Sequence, residues 1–203
     1  GVQTCALPIY ELVASGPLDG LMVEAWTQQE SLNAPWTLQL SALSIQAGLD
    51  LDAMLAQSVT LRTHTADGGS VDRCGIVMAA EADEADGGLA RYRLTIQPWL
   101  GLLAHPRRSQ VWQERSVVEI VDSVFRLYSA QAAWRWAACV EAHLAQSPQG
   151  AGGHRSYCVQ YRETDLDFVT RLLAEEGLNH RFEVAADAPA GHQLVIFRSE
   201  EHT

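Results

Sequence analysis

The chain has 203 residues, 47% of them hydrophobic, which is enough to bury one or two cores. Its formal net charge is −11, all 14 basic residues are arginine, and they form no basic stripe, which excludes a general nucleic-acid binder. No run of about 18 apolar residues occurs, which excludes a helical membrane-spanning segment.

From the amino terminus, Leu21 to Trp26, Trp36 to Ala42 and Val59 to Thr65 alternate apolar and polar side chains at period two, the pattern of strands with one buried face. Between the last two, LDLDAMLAQ within Gly48 to Gln57 reads as a single helical turn. Ala66-Asp67-Gly68-Gly69 and Ala85-Asp86-Gly87-Gly88 each interrupt strand-like runs. Asp-Gly supplies the positive-φ residues of a tight turn, so each predicts a hairpin. Arg91 to Ile96 is the next strand and runs into Pro98 to Leu103, where proline opens a helical turn and ends the sheet.

Two capped helices follow. Ser116 and Glu119 have the S-x-x-E spacing of a capping box, and Ile120, Val121, Val124 and Phe125 form an apolar stripe behind it. Tyr157 to Tyr161 alternates as a strand and leads to Thr164, an N-cap. Asp165 and Asp167 then place negative charge where the first turn's free amide hydrogens point. Phe168, Val169, Leu172 and Leu173 sit at the same offsets from Thr164 as the first stripe from Ser116, so the two helices read as copies. Gly177 provides a left-handed stop, and His180 to Val184 resumes strand alternation, as Ala132 to Ala137 does after the first helix. Ser116, Glu119, Thr164, Asp167 and Gly177 are thus assigned as structural helix caps.

Groups with chemical potential are scattered. Cys74, Cys139 and Cys158 lack C-x-x-C spacing and are expected to be buried reduced thiols. His64, His105, His143, His154 and His180 show no metal-ligand spacing. Asp165 and Asp167, two apart on a helix, point in different directions and fit the helix dipole better than a glycosidase pair. No G-x-S-x-G elbow or phosphate-binding glycine loop is present. No catalytic, cofactor-binding or metal-ligating residue is therefore assigned. Trp134 and Trp136 share one strand face and, with Arg135, fit either a sugar or peptide platform or, more simply, core or subunit contact. Arg107-Arg108 reads as a solvated turn or as a patch facing an acidic partner.

In this order, the elements resemble the amino-terminal part of the VgrG spike proteins of the type VI secretion system, the Rhs-associated Vgr family. The resemblance covers Leu21 to Phe197, with landmarks LARYRLTIQPWLGLL (Leu89 to Leu103), RRSQVWQERSVVEIVDSVF (Arg107 to Phe125) and YCVQYRETDLDFVTRLLAEEGL (Tyr157 to Leu178). It departs from the family over Ala130 to Arg155. It implies an α+β, mainly β fold: phage tail hub-like tandem β-barrel domains with inserted amphipathic helices. The implied partners are two further copies in a homotrimer, a hexameric Hcp-like tube protein and baseplate components, with no cofactor and no nucleic acid. The implied role is structural, not enzymatic: the base of the trimeric spike at the tip of the secretion tube, held in the bacterial cytoplasm and then secreted through the machine. A phage or prophage tail hub of the late control D type is the alternative. A hydrolytic effector is the remaining one, although effector domains of the resembled family lie beyond the needle.

The two ends carry a separate signal. Arg198 to Thr203 can be encoded by AGA TCG GAA GAG CAC ACG, whose reverse complement in another frame encodes Thr4 to Ile9. Residues 1–9 and 198–203 are accordingly expected to be translated sequencing adapter and excluded from fold reasoning. The expected domains are a first hub-like barrel over 10–110, then helix–strand repeats and the truncated start of a second hub-like domain over 111–197.

Overall fold

The computed structural model describes residues 9–83, 88–148, 150 and 154–198. They divide at Gln97/Pro98 into two compact units, with residues 31–35 belonging to the second. Most of both terminal segments, and all but Gly88 of the Ala85 to Gly88 turn, lie outside the described residues.

The first unit is one antiparallel sheet. Its strands are β1 (Tyr10–Val13), β2 (Met22–Gln29), β3 (Thr37–Ser44), β4 (Ser58–His64), β5 (Ser70–Ala82) and β6 (Ala90–Gln97), in the order β1-β4-β5-β6-β3-β2. Period-two alternation sends Leu38, Leu40 and Ala42, Val59 and Leu61, and Tyr92, Leu94 and Ile96 into one core, closed by Leu18 and Met54. Each buried Val, Leu, Ile or Met side chain among them contributes about 1.5–3 kcal/mol. Tyr10 of β1 meets Trp26 of β2 edge to face at 6.0 Å, so the sheet curls until its two edge strands approach. The β4–β5 hairpin turns at Gly68, whose φ of +86° needs a residue without Cβ, and Asp67 Oδ1 accepts from the Gly69 amide. The predicted helical turn is α1 (Leu51–Met54), capped by Asp50.

The second unit begins at Pro98, which opens a 3₁₀ turn over Trp99–Ala104. Then come β7 (Arg107–Ser116), α2 (Val117–Phe125), β8 (Trp134–Trp136), α3 (Cys139–Leu144), β9 (His154–Thr164), α4 (Asp165–Glu175), β10 (Leu178–Val184) and β11 (His192–Arg198). β7 and β9 form a two-stranded antiparallel ribbon, whereas β11 lies between β10, antiparallel to it, and β8, parallel to it. The helical stripes cover a core of Trp99, Ile120, Val121, Phe125, Phe168, Leu172, Leu194 and Ile196. Trp99 packs edge to face on Phe125 at 5.0 Å.

The helix copies belong to a larger repeat with a constant offset of 48 residues. Ser116 and Thr164 cap α2 and α4, and Glu114 and Arg162, each two residues earlier, both adopt left-handed φ, +49° and +52°. At the ribbon's centre Val111 pairs with Val159, and in the three-stranded sheet Leu194 lies between Trp134 and Phe182. Both pairs are again 48 apart, so β7-α2-β8 and β9-α4-β10 are two copies of one strand-helix-strand repeat.

Two histidines in this unit make stability pH-dependent. Burial pushes the His180 imidazole down to about 4, and its Nε2 is buried without a partner. His192 is also lowered by burial; its Nδ1 faces the Ala190 carbonyl at 2.8 Å while its Nε2 accepts from the Trp99 amide at 3.0 Å. Between pH 6.5 and 4 the unfolded chain therefore binds protons that the folded chain refuses, so stability falls as pH falls through that window. The expected loss from His180 is on the order of 2–3 kcal/mol by pH 4. Urea unfolding across this range should show it, and His180→Gln should flatten the slope; an unchanged slope would contradict the assignment.

Candidate assembly surface

The β7–β9 ribbon is the most exposed regular element of the second unit, and a two-stranded ribbon is marginal unless anchored. Its inner face supplies the anchors. Trp112 stacks on Phe168 of α4 with ring centroids 4.9 Å apart and donates through Nε1 to Ser123 Oγ of α2. Asp165, fully buried at the first position of α4, gathers three donors: Arg108 Nε at 2.9 Å, Tyr128 OH at 2.6 Å and Gln160 Nε2 at 2.8 Å. Burial and the Asp165 carboxylate push the Tyr128 hydroxyl up, which keeps it a donor, and the same carboxylate raises Arg108. One acid thus ties β7, the turn after α2, β9 and α4 together.

Arg107-Arg108 is accordingly not a turn, and only Arg107 is left without an ion pair among the described residues. Both residues lie in β7, Arg107 donates to the Arg162 carbonyl at 3.1 Å, and Arg108 neutralises Asp165. The sequence hides this because Asp165 also looks like an ordinary first-turn acid.

The cap residues lie where the ribbon enters the helices. Ser116 Oγ accepts from the Glu119 amide, and Glu119 Oε2 accepts from the Ser116 amide at 2.8 Å. That amide, with Arg115 beside it, holds the Glu119 carboxyl at about 2. Thr164 Oγ1 accepts from the Asp167 amide at 3.0 Å. Gly177, at φ +66°, donates to the Ala174 carbonyl and turns the chain into β10. Ser116, Glu119 and Thr164 are engaged in these local hydrogen bonds through their side chains, and Asp167 through its backbone amide.

Other polar groups are similarly engaged. Trp134 and Trp136 direct both indole N–H groups at Asp122 Oδ1, at 2.7 and 3.0 Å, so they are pinned to α2 and are not presented as a platform. Asp122→Ala leaves two donors unpaired and is expected to cost about 2–3 kcal/mol, read as a lower melting temperature and altered tryptophan emission; unchanged melting would contradict it. Arg155 ion-pairs with Glu175 and with the buried Glu176, which also accepts from Ser147 Oγ. An open groove of about 560 Å³ beside α3 is lined by Cys139, His143, Ser147 and Glu176, but His143 Nε2 is bonded to the Glu176 carbonyl at 2.6 Å. Cys74 and Cys158 are buried, whereas Cys139, expected to be buried, is partly exposed on α3. Among the described residues no group of three His, Cys, Asp or Glu is placed to hold a metal, and no helix is long and apolar enough to cross a membrane.

The ribbon's outer face is different. Val111, Tyr157 and Tyr161 are 48%, 59% and 67% exposed around the half-buried Val159. Exposed apolar and aromatic side chains gathered on one face are the mark of contact surfaces rather than of reaction sites. Sequence reading missed it because it placed no strand before Ser116 to face Tyr157 to Tyr161.

The profile of the phage tail baseplate hub (GPD) matches residues 29–203. The type VI secretion system spike protein VgrG4b of Pseudomonas aeruginosa PAO1 is 32% identical over 193 residues, covering 95% of this chain and 22% of its own length. VgrG1b of the same strain is 31% identical over 181 residues, covering 85% and 23%. The chain thus spans less than a quarter of the length of these relatives. Among solved structures, the E. coli c3393 protein, described as a type VI secretion component with structural similarity to T4 tail proteins gp27 and gp5, aligns with a TM-score of 0.75 at 21% identity, over 94% of this chain and 49% of that one. The 43 kDa tail protein of prophage MuSo2 from Shewanella oneidensis aligns at 0.57 and 14%, over 94% and 53%. At these identities the structural matches establish the fold.

Proposed function

Because this chain belongs to the phage tail baseplate hub family, we propose that it is part of the base of a trimeric spike at the tip of a type VI secretion tube. The observation that carries the reading is identity above 30% to named spike proteins across most of this chain. Three copies in a ring would each offer two hub-like domains, giving the pseudo-sixfold face that a hexameric Hcp-like tube protein requires. Baseplate components would hold the ring until firing, so the protein waits in the bacterial cytoplasm and leaves through the machine. It acts by shape and interface area rather than as an enzyme, as its named spike-protein relatives suggest. The helix caps Ser116, Glu119, Thr164, Asp167 and Gly177 serve that rigidity. The sequence-based limit at 110 would cut β7, so the division proposed is a first hub-like unit up to Gln97 and a second from Pro98, with 1–9 and 198–203 as translated adapter.

Deleting the parent gene in a secreting strain is expected to abolish release of the tube protein into the medium, with complementation restoring it; undiminished release would contradict the reading. The tail-hub profile favours one second reading, a prophage tail protein. Neighbouring sheath, tube and ATPase genes of a secretion cluster would support the spike, and a prophage tail module would support the alternative.

A further inference from the structure

The outer face of the ribbon has an internal control. Under the 48-residue repeat, Tyr157 and Tyr161 are equivalent to Ser109 and Gln113, on the same face of the same ribbon. The fold therefore accepts small or polar side chains at these positions, and two tyrosines more than half exposed are not demanded by packing. Tyrosine is enriched where surfaces are buried against a partner, because it buries a large area at little conformational cost.

Charge indicates the partner. β7 and β9 together carry five arginines against two glutamates, in a chain of net charge −11. Arg107 and Arg162 are exposed and in no ion pair among the described residues, and the Arg162 guanidinium lies over the Tyr161 ring, 5.4 Å from its centroid. The first unit has the opposite balance, twelve acidic residues against four arginines. Asp19, which ends the 3₁₀ turn Gly16–Leu18, and Asp50 and Asp52, at the start of the α1 that packs by it, are exposed and in no ion pair among the described residues.

We infer that the tyrosine face of the β7–β9 ribbon, flanked by Arg107 and Arg162, docks on the Asp19/Asp50/Asp52 end of the first unit of a second copy of this chain. The two patches differ, so the contact is heterologous, the kind that closes into a ring when the rotation allows. The inference rests on the trimeric reading above and names the surfaces that make it.

Photo-crosslinking tests it directly. Benzoylphenylalanine replaces Tyr161 in the full chain, isotopically light and heavy copies are mixed, and crosslinked peptides are mapped while native mass spectrometry reports the oligomer. The expected result is a trimer with crosslinks from the ribbon of one copy to segments 16–20 and 50–55 of another. A trimer crosslinked elsewhere overturns this surface and leaves the trimeric reading standing; a chain monomeric at all concentrations overturns both. Tyr157→Ser with Tyr161→Gln, which copies the other half of the repeat, is expected to keep the melting temperature and weaken self-association at least about tenfold. A fall in melting temperature with unchanged association would instead make the tyrosines part of the fold. Arg162→Glu is expected to weaken association similarly and Asp52→Arg to restore it; no rescue would overturn the charge pairing.

Discussion

Replacing Asp165 by alanine is expected to destabilise the second unit by about 3–5 kcal/mol, a fall in melting temperature on the order of 10 °C. The carboxylate is completely buried and accepts from Arg108, Tyr128 and Gln160. Its removal takes the acceptor away from a phenol, a side-chain amide and a guanidinium at once. Arg108 is 41% exposed and can turn to solvent, which places the expected loss toward the lower end of that range. Asp165→Leu combined with Tyr128→Phe removes acceptor and donor together and is expected to recover part of the loss, because the cost comes mainly from unpaired groups. Equal destabilisation of the single and double variants, by urea unfolding, would mean that packing around α4 dominates.

Trp99→Ala is expected to have a comparable effect, about 3–5 kcal/mol. The ring is fully buried, edge to face on Phe125 and tilted against Trp134, and its Nε1 donates to the Ala133 carbonyl at 3.2 Å. Its backbone amide also fixes the His192 tautomer. Trp99→Phe keeps most of the apolar contact and removes one of two donors to the Ala133 carbonyl, which still accepts from the Leu194 amide at 2.8 Å, so a loss of about 0.5–1.5 kcal/mol is expected. Calorimetry of the two variants separates the terms, and equal losses would contradict the division.

What was legible in the sequence follows from what each segment buries. β3 and β6 bury one face and expose the other, so alternation revealed them, and Pro98 marked the end of the sheet. Ser116 and Thr164 announced their helices because capping is a local interaction written within four residues. β7 escaped because Trp112 is its one buried side chain, leaving RRSQVWQERS without a period. β11 escaped for the opposite reason: Leu194 to Phe197 are all buried, and a run buried on both faces does not alternate. The repeat was visible as matching helix stripes, but its extent emerged only from strand pairing, where Val111 meets Val159. The link from Asp165 to Arg108 spans 57 residues, and neither periodicity nor motif spacing reports such a contact.

The most direct test of the account is electron microscopy of this chain mixed with rings of the hexameric tube protein. A threefold assembly seated on one face of the six-membered ring is the expected result. Isolated single copies that leave the tube rings bare would contradict the scaffold role.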